Sequence, residues 1–229
     1  MSAPDATALV RVAARAIGRA GLAHAYGHCS TRLDAHEFLV SPSKPLGMVT
    51  DTDAPIRVPI QGPLPADVLG EVRIHQQVYR LRPEVGGIAR FQSPKVVSLS
   101  ALGRTPHARH GFGSYFAPQP PFWADPRLIR DDERAARVAA SLGNTRAIVL
   151  RGNGAVTVGR SLPEACVLAW YLEDSARVEL DVLASREPGA FFSHEESADR
   201  ATQQGRIFER MWDWLTKDEP GTAIPYPSP

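Results

Sequence analysis

Cysteine is nearly absent from this chain. Cys29 and Cys166 are the only two, they lie far apart, and they form no CxxC pair, which argues against a disulfide framework or a cysteine-built zinc site. Lysine is almost as rare: of 26 basic residues only Lys44, Lys95 and Lys217 are lysine. Neither charge is in excess, since 26 basic residues face 25 acidic ones for a net charge of +1. That balance leaves no footprint for nucleic acid or for an anionic membrane. No apolar run approaches the length that crosses a bilayer, and the first residues lack the basic start and apolar stretch of a secretory signal. A cytoplasmic location is therefore expected. The chain also lacks the GxGxxG of a dinucleotide fold and the GxxxxGK[ST] of a P-loop.

What is present reads as an ordinary globular protein. The 229 residues are 43% hydrophobic and 22% charged, enough for one sizeable core. We expect one domain over 1–216 and a proline-rich tail over 217–229, unstructured or draped on a neighbour. An alanine-rich amphipathic helix is expected over 5–20, stopped by Gly21. Short strands are expected over 37–41, 57–60 and 87–91, and a helix over 68–81, ending before Pro83. Pro94 opens a helix, residues 103–123 read as a long ordered loop, and 131–142 is helical. Residues 147–150 and 155–158 are two strands joined by the tight-turn composition Arg151–Gly154. Ser161 with Glu164, and Ser193 with Glu196, form capping boxes. They open a long helix to about Ser185 and a last helix carrying Ile207, Met211 and Trp214 on one face. Helices interleaved with short strands and hairpins give an α/β class with a mixed sheet.

Four collinear segments carry a resemblance. Gly27–Arg32 (GHCSTR) is similar to a G-[NH]-x-S-x-R loop, and 71–83 to an E-x-x-x-H-x-x-x-Y-x-x-R-P helix. Residues 87–94 stand where a strand ends H-x-H-[SP]-P, and 150–165 resembles L-R-x-H-G-x-x-x-x-G followed by x-E-A. Together these resemble the class II aldolase/adducin family over residues 8 to 185. The resemblance implies a three-layer α/β/α fold around a mixed, largely antiparallel sheet. His28, Leu69-Gly70 in place of a serine pair, and the run Trp123–Arg130 resemble the branch that decarboxylates aromatic hydroxy-acids. A phosphorylated sugar is thus not the expected substrate.

In that family three histidines hold a metal ion that polarises a carbonyl or hydroxyl. Here Arg90, Gln92 and Asn153 stand at those positions. Arginine stays protonated and cannot ligate, and the two amides are weak oxygen ligands for a zinc-type ion. The expectation is no metal and no other cofactor, with Arg90 supplying a fixed positive charge for a carboxylate or oxyanion. Glu71 resembles the family's acid/base glutamate, and Gln92 and Asn153 would orient the ligand. His28, Ser43, Lys44 and Tyr115 are the expected substrate-binding residues, Tyr115 from the long loop that approaches a neighbouring subunit. His75 reads as a core histidine bonded to backbone. Lys44 and Lys95 are the only candidates for a Schiff base, which needs a desolvated lysine. The function expected is a metal-independent lyase acting on a small unphosphorylated, aromatic or cyclic carboxylate, assembled as a homotetramer. Two alternatives stay open: a non-catalytic adducin-like module in which Arg90 only pairs with Glu71, and a relocated metal site built from His28, His107 and His110.

Overall fold

Strands buried on both faces build a single sheet in the computed structural model, which describes residues 3–219 and 224–226. Its strands among those residues are β1 (Gly27–Arg32), β2 (Glu37–Val40), β3 (Ile56–Pro59), β4 (Gly87–Phe91), β5 (Phe122–Trp123), β6 (Ala147–Leu150) and β7 (Ala155–Gly159), in the order β3-β2-β1-β4-β7-β6-β5. Every neighbouring pair is antiparallel except β5 with β6. The helices are α1 (Ala3–Arg19), α2 (Arg73–Leu81), α3 (Pro94–Ala101), α4 (Asp132–Leu142), α5 (Leu162–Ser185), α6 (His194–Arg200) and α7 (Ile207–Leu215). No helix of the described residues is long and apolar enough to cross a membrane.

Two apolar clusters lie on opposite faces of the sheet, giving the expected three layers. On one face α1, α3, α5 and α7 pack over Cys29, Ala89 and Phe91. On the other, α2 and α4 pack over Val40, Ile88 and Val156. Side chains alternate across a strand, so β1 sends Cys29 to the first face and His28 and Ser30 to the second. The register pairs His28 with Arg90 and Ser30 with Ile88. The α2 face is therefore apolar along most of its length and polar at the end where His28 and Arg90 stand side by side.

Helix ends follow their caps. Asp131 accepts from the Arg134 N–H at 2.7 Å, and Ser161 accepts from the Glu164 N–H. The Ser193–Glu196 box is complete, with both reciprocal bonds present. At Ser161 only half of the box forms, because the Glu164 carboxylate accepts from the Arg160 N–H and pairs with Arg146.

Four expectations are corrected. Gly27–Arg32 is strand β1 rather than a loop; its inward side chains are polar, so no hydrophobic alternation announces it. The helix expected from Val68 starts at Arg73, after an extended Leu69 and a 3-10 turn at 70–72. The long loop contributes a 3-10 turn at Gly113–Phe116 and the edge strand β5. The last helix is two helices, because Gly205 and Arg206 adopt left-handed backbone (φ +70° and +54°) that an α-helix cannot continue through. The buried face of α7 is Phe208, Trp212 and Leu215, while Trp214 is half exposed. Tyr171 on α5 and the Ile224 carbonyl, which accepts from Trp212 Nε1 at 2.8 Å, set that face. In the tail, Glu219 pairs with Arg15 and Arg19, and Ile224 and Tyr226 pack against the core.

Candidate functional site

Arg90 and Gln92 share the α2 face of the sheet because they are two residues apart, Gln92 standing just past the end of β4. The β6–β7 hairpin brings Asn153 to them. Gly154 makes that approach possible: at φ +75°, its missing Cβ would fall 1.9 Å from the Phe91 carbonyl oxygen, so no other residue fits. Glu71 enters from the 3-10 turn ahead of α2. The four side chains expected to converge do so.

Arg90 is 2% exposed, and its Nη2 lies 2.8 Å from Glu71 Oε2 and donates to Asn153 Oδ1 at 2.7 Å. Glu71 Oε1 accepts from Asn153 Nδ2 at 3.1 Å and from the Ile129 N–H at 3.2 Å. These contacts fix the Asn153 amide with its oxygen toward Arg90. The Gln92 amide donates to the same oxygen; turned over, its own oxygen accepts from Arg90 Nη1 and Nη2 at 3.1 Å. Arg90 Nε is enclosed and has no hydrogen-bond partner among the described residues. Burial pulls the Arg90 pKa down and the Glu71 charge pushes it back up; an arginine so placed stays protonated.

These three positions do not fit a divalent cation. A metal among them would face a buried guanidinium rather than imidazoles, with only amide oxygens as ligands. The relocated site does not assemble either. His107 lies against Glu179, His110 against Asp174 and His28 against His75, and no group of three His, Cys, Asp or Glu among the described residues is placed to hold a metal ion.

A cavity of about 560 Å³ opens beside the cluster, lined by His28, Ser43, Lys44, Glu71, Arg90 and Gln92 among others. Its volume falls within the range of small-molecule sites and is ample for a substituted ring. Ser43 is exposed and donates to the Asp67 carbonyl at 2.7 Å. Lys44 reaches the cavity with its ammonium 2.8 Å from Asp53, and that contact, with the bonds from Thr50, holds the Asp53 carboxyl well below the usual carboxylate range. Lys95 is exposed, so neither lysine is desolvated for a Schiff base.

His75 bonds to side chains rather than to backbone. Its Nε2 meets His28 Nδ1 at 2.9 Å and its Nδ1 meets Ser30 Oγ at 2.6 Å, which in turn meets the Tyr79 hydroxyl at 2.9 Å. Burial, with the Arg90 charge, pulls His75 down to about 3; burial, His75 and Arg90 hold His28 well below its ordinary value. Both imidazoles are neutral beneath the cavity floor. Tyr115 is not at this cavity within the chain. It is buried between Tyr171 and Phe208, and its hydroxyl donates to the Thr202 carbonyl at 2.5 Å.

Arg130 also lines the cavity and was missed by sequence reasoning. The signal was present: Leu69-Gly70 replaces a serine pair, and Gly70 leaves room for an overlying side chain. A Cβ at Gly70 would meet the Arg130 stem at 3.2 Å.

Comparison with known proteins agrees with this architecture. The sequence profile of the Class II Aldolase and Adducin N-terminal domain matches residues 8–180. A 3,4-dihydroxyphthalate decarboxylase of Terrabacter sp. (strain DBF63) is 28% identical over 195 residues, covering 77% of this chain and 81% of that one. The L-fuculose 1-phosphate aldolase from Glaciozyma antarctica PI12 superposes with a TM-score of 0.77 at 21% identity, covering 91% and 86% of the two chains. The l-fuculose-1-phosphate aldolase from Thermus thermophilus gives 0.71 at 27% identity, covering 82% and 100%.

Proposed function

The chain belongs to the class II aldolase and adducin N-terminal domain family, and from that membership we propose that it is a carbon–carbon lyase that acts, without a bound metal ion, on a small unphosphorylated aromatic or cyclic carboxylate. The observation that carries this is the Arg90–Glu71–Asn153–Gln92 cluster, whose Glu71, Arg90 and Gln92 line a cavity with room for a small ring acid. Leu69 and Gly70 in its wall offer no hydroxyl for a phosphate, and a decarboxylase of an aromatic dihydroxy acid is among the relatives.

In decarboxylation a proton first adds to the ring carbon that carries the carboxyl; the bond to the carboxyl carbon then breaks, carbon dioxide leaves, and the electron pair restores the aromatic ring with the negative charge on the ortho or para oxygen. Arg90, with Gln92 and Asn153 holding its fork, stabilises that developing oxyanion by charge-assisted hydrogen bonds in a water-poor site. Glu71 takes the proton of a substrate hydroxyl and delivers it to the carboxyl-bearing carbon before carbon dioxide leaves. Retro-aldol cleavage uses the same electron sink. Carbon dioxide release from 3,4-dihydroxyphthalate or a hydroxybenzoate should survive chelation and vanish in Glu71→Gln. Activity that chelation abolishes and a metal restores would overturn the metal-free reading.

One observation favours a second reading, a non-catalytic binding module like the adducin head. Glu71 and Asn153 already occupy Arg90 Nη2 within the chain. Ligand binding in calorimetry with no turnover of any acid selects this reading. In either case the cavity mouth exposes Tyr26 (71%), Leu69 (43%) and Leu128 (45%), an apolar rim that a neighbouring copy would cover in a cyclic homotetramer. Light scattering at micromolar concentration should give four chains; a monomer removes this assembly.

A further inference from the structure

The charges lining the cavity do not cancel, and the remainder sits on one residue. Four lining side chains are ionised: Lys44, Glu71, Arg90 and Arg130. Arg90 is matched by Glu71 at 2.8 Å and Lys44 by Asp53 at 2.8 Å. Arg130 has no ion pair among the described residues. Acidic groups are close in sequence, but Asp125 is held by Arg127, Asp131 by Arg134 and Asp132 by Arg73. The cavity therefore presents one uncompensated positive charge, and an anion entering it meets that charge at Arg130 rather than at Arg90.

Arg130 is also held in place at its base. The adjoining Ile129 is 1% exposed, and its N–H donates to Glu71 Oε1. The aliphatic stem of Arg130 lies along Gly70, whose absent Cβ would stand 3.2, 3.5 and 3.7 Å from Arg130 Cγ, Cβ and Cδ. The stem thus packs against the cavity wall at Gly70, and the exposed side chain borders the cavity.

We infer that Arg130 is a specificity-determining residue that binds a carboxylate the substrate keeps throughout the reaction. This rests on the reading of the cavity as a lyase site. A carboxylate that departs as neutral carbon dioxide loses its charge on the way to the transition state, so a strong ion pair to it stabilises the ground state and slows the reaction. The leaving group belongs against the charge-balanced Arg90–Glu71 cluster, and the retained carboxylate belongs on Arg130, where a bidentate contact persists from substrate to product.

Calorimetry with phthalate and benzoate on the full chain tests this. Wild type should bind phthalate at least tenfold more tightly than benzoate. Arg130→Gln, at an exposed position, should keep the circular dichroism of wild type and erase that difference. Gly70→Ala, which displaces the stem but keeps the charge, should lose part of it. Phthalate affinity unchanged in Arg130→Gln but lost in Arg90→Lys overturns the inference and leaves the proposed function standing. Binding of neither acid by wild type overturns both.

Discussion

Two arginine–glutamate pairs, Arg109–Glu179 and Arg90–Glu71, share their chemistry and differ in what surrounds them. Glu179 is 2% exposed, receives Arg109 Nε at 2.7 Å and Nη2 at 3.1 Å, and also accepts from the His107 N–H. That pair is a closed, bidentate knot tying the 107–109 segment to α5. Glu71 meets a single nitrogen of Arg90, leaves Arg90 Nε without a partner among the described residues, and faces a cavity of about 560 Å³. A closed pair holds chain segments together. An open one keeps hydrogen-bonding capacity for something that arrives later.

The largest expected effect strikes the closed pair. Glu179→Ala should destabilise the fold by about 3–5 kcal/mol, because it strands a nearly buried guanidinium, and should leave cavity binding alone. Chemical denaturation measures the first and calorimetry the second; a loss of carboxylate affinity in that variant would break the distinction. Arg90→Lys keeps the charge and gives up the planar fork that holds the developing oxyanion, so turnover should slow by the equivalent of about 1–3 kcal/mol while carboxylate affinity changes little. Were stability to fall by that amount with turnover unchanged, the Arg90 cluster would be structural like the other.

A pH effect of intermediate size belongs to the open site alone. His75 is held at about 3 in the fold against about 6.5 in an unfolded chain. Below pH 6.5 the unfolded state takes up a proton that the folded state refuses, so stability falls with falling pH toward about 3. The slope approaches about 1.4 kcal/mol per pH unit. Denaturation midpoints that stay flat from pH 7 to 4.5 would show His75 to be protonated in the fold. The smallest effect is expected at the exposed Arg57–Glu37 pair, where Glu37→Gln should cost under about 1 kcal/mol and set the floor against which the two clusters are judged.

The sequence conveyed the fold's outline wherever local physics decides structure. Helices with a side-chain cap at entry, such as those after Asp131, Ser161 and Ser193, were legible because caps and periodicity are written within a few residues. The Arg151–Gly154 turn and the strands either side of it were legible for the same reason. β1 was not, since GHCSTR buries polar side chains whose partners come from α2 and β4. Nor was the break at Gly205–Arg206, where a glycine inside a helical pattern gives only a weak local signal. The convergence of Glu71, Arg90, Gln92 and Asn153 was expected from the family resemblance of the motifs that carry them. The loss of a serine pair at Leu69-Gly70 was legible too, though not the arginine stem that Gly70 makes room for.

By itself, then, the sequence determined the fold class, most elements and their order, and the motifs through whose family resemblance the three substituted histidine positions are read, because each is a property of identity and short-range spacing. Only the tertiary structure decided which charges remain unmatched. That Asp53 takes Lys44, that Glu71 takes Arg90, and that the acids around Arg130 are claimed by Arg73, Arg127 and Arg134 follows from distances of a few ångströms between elements far apart in the chain. Coulomb energy depends on those distances, and composition, with its net charge of +1, carries no record of them.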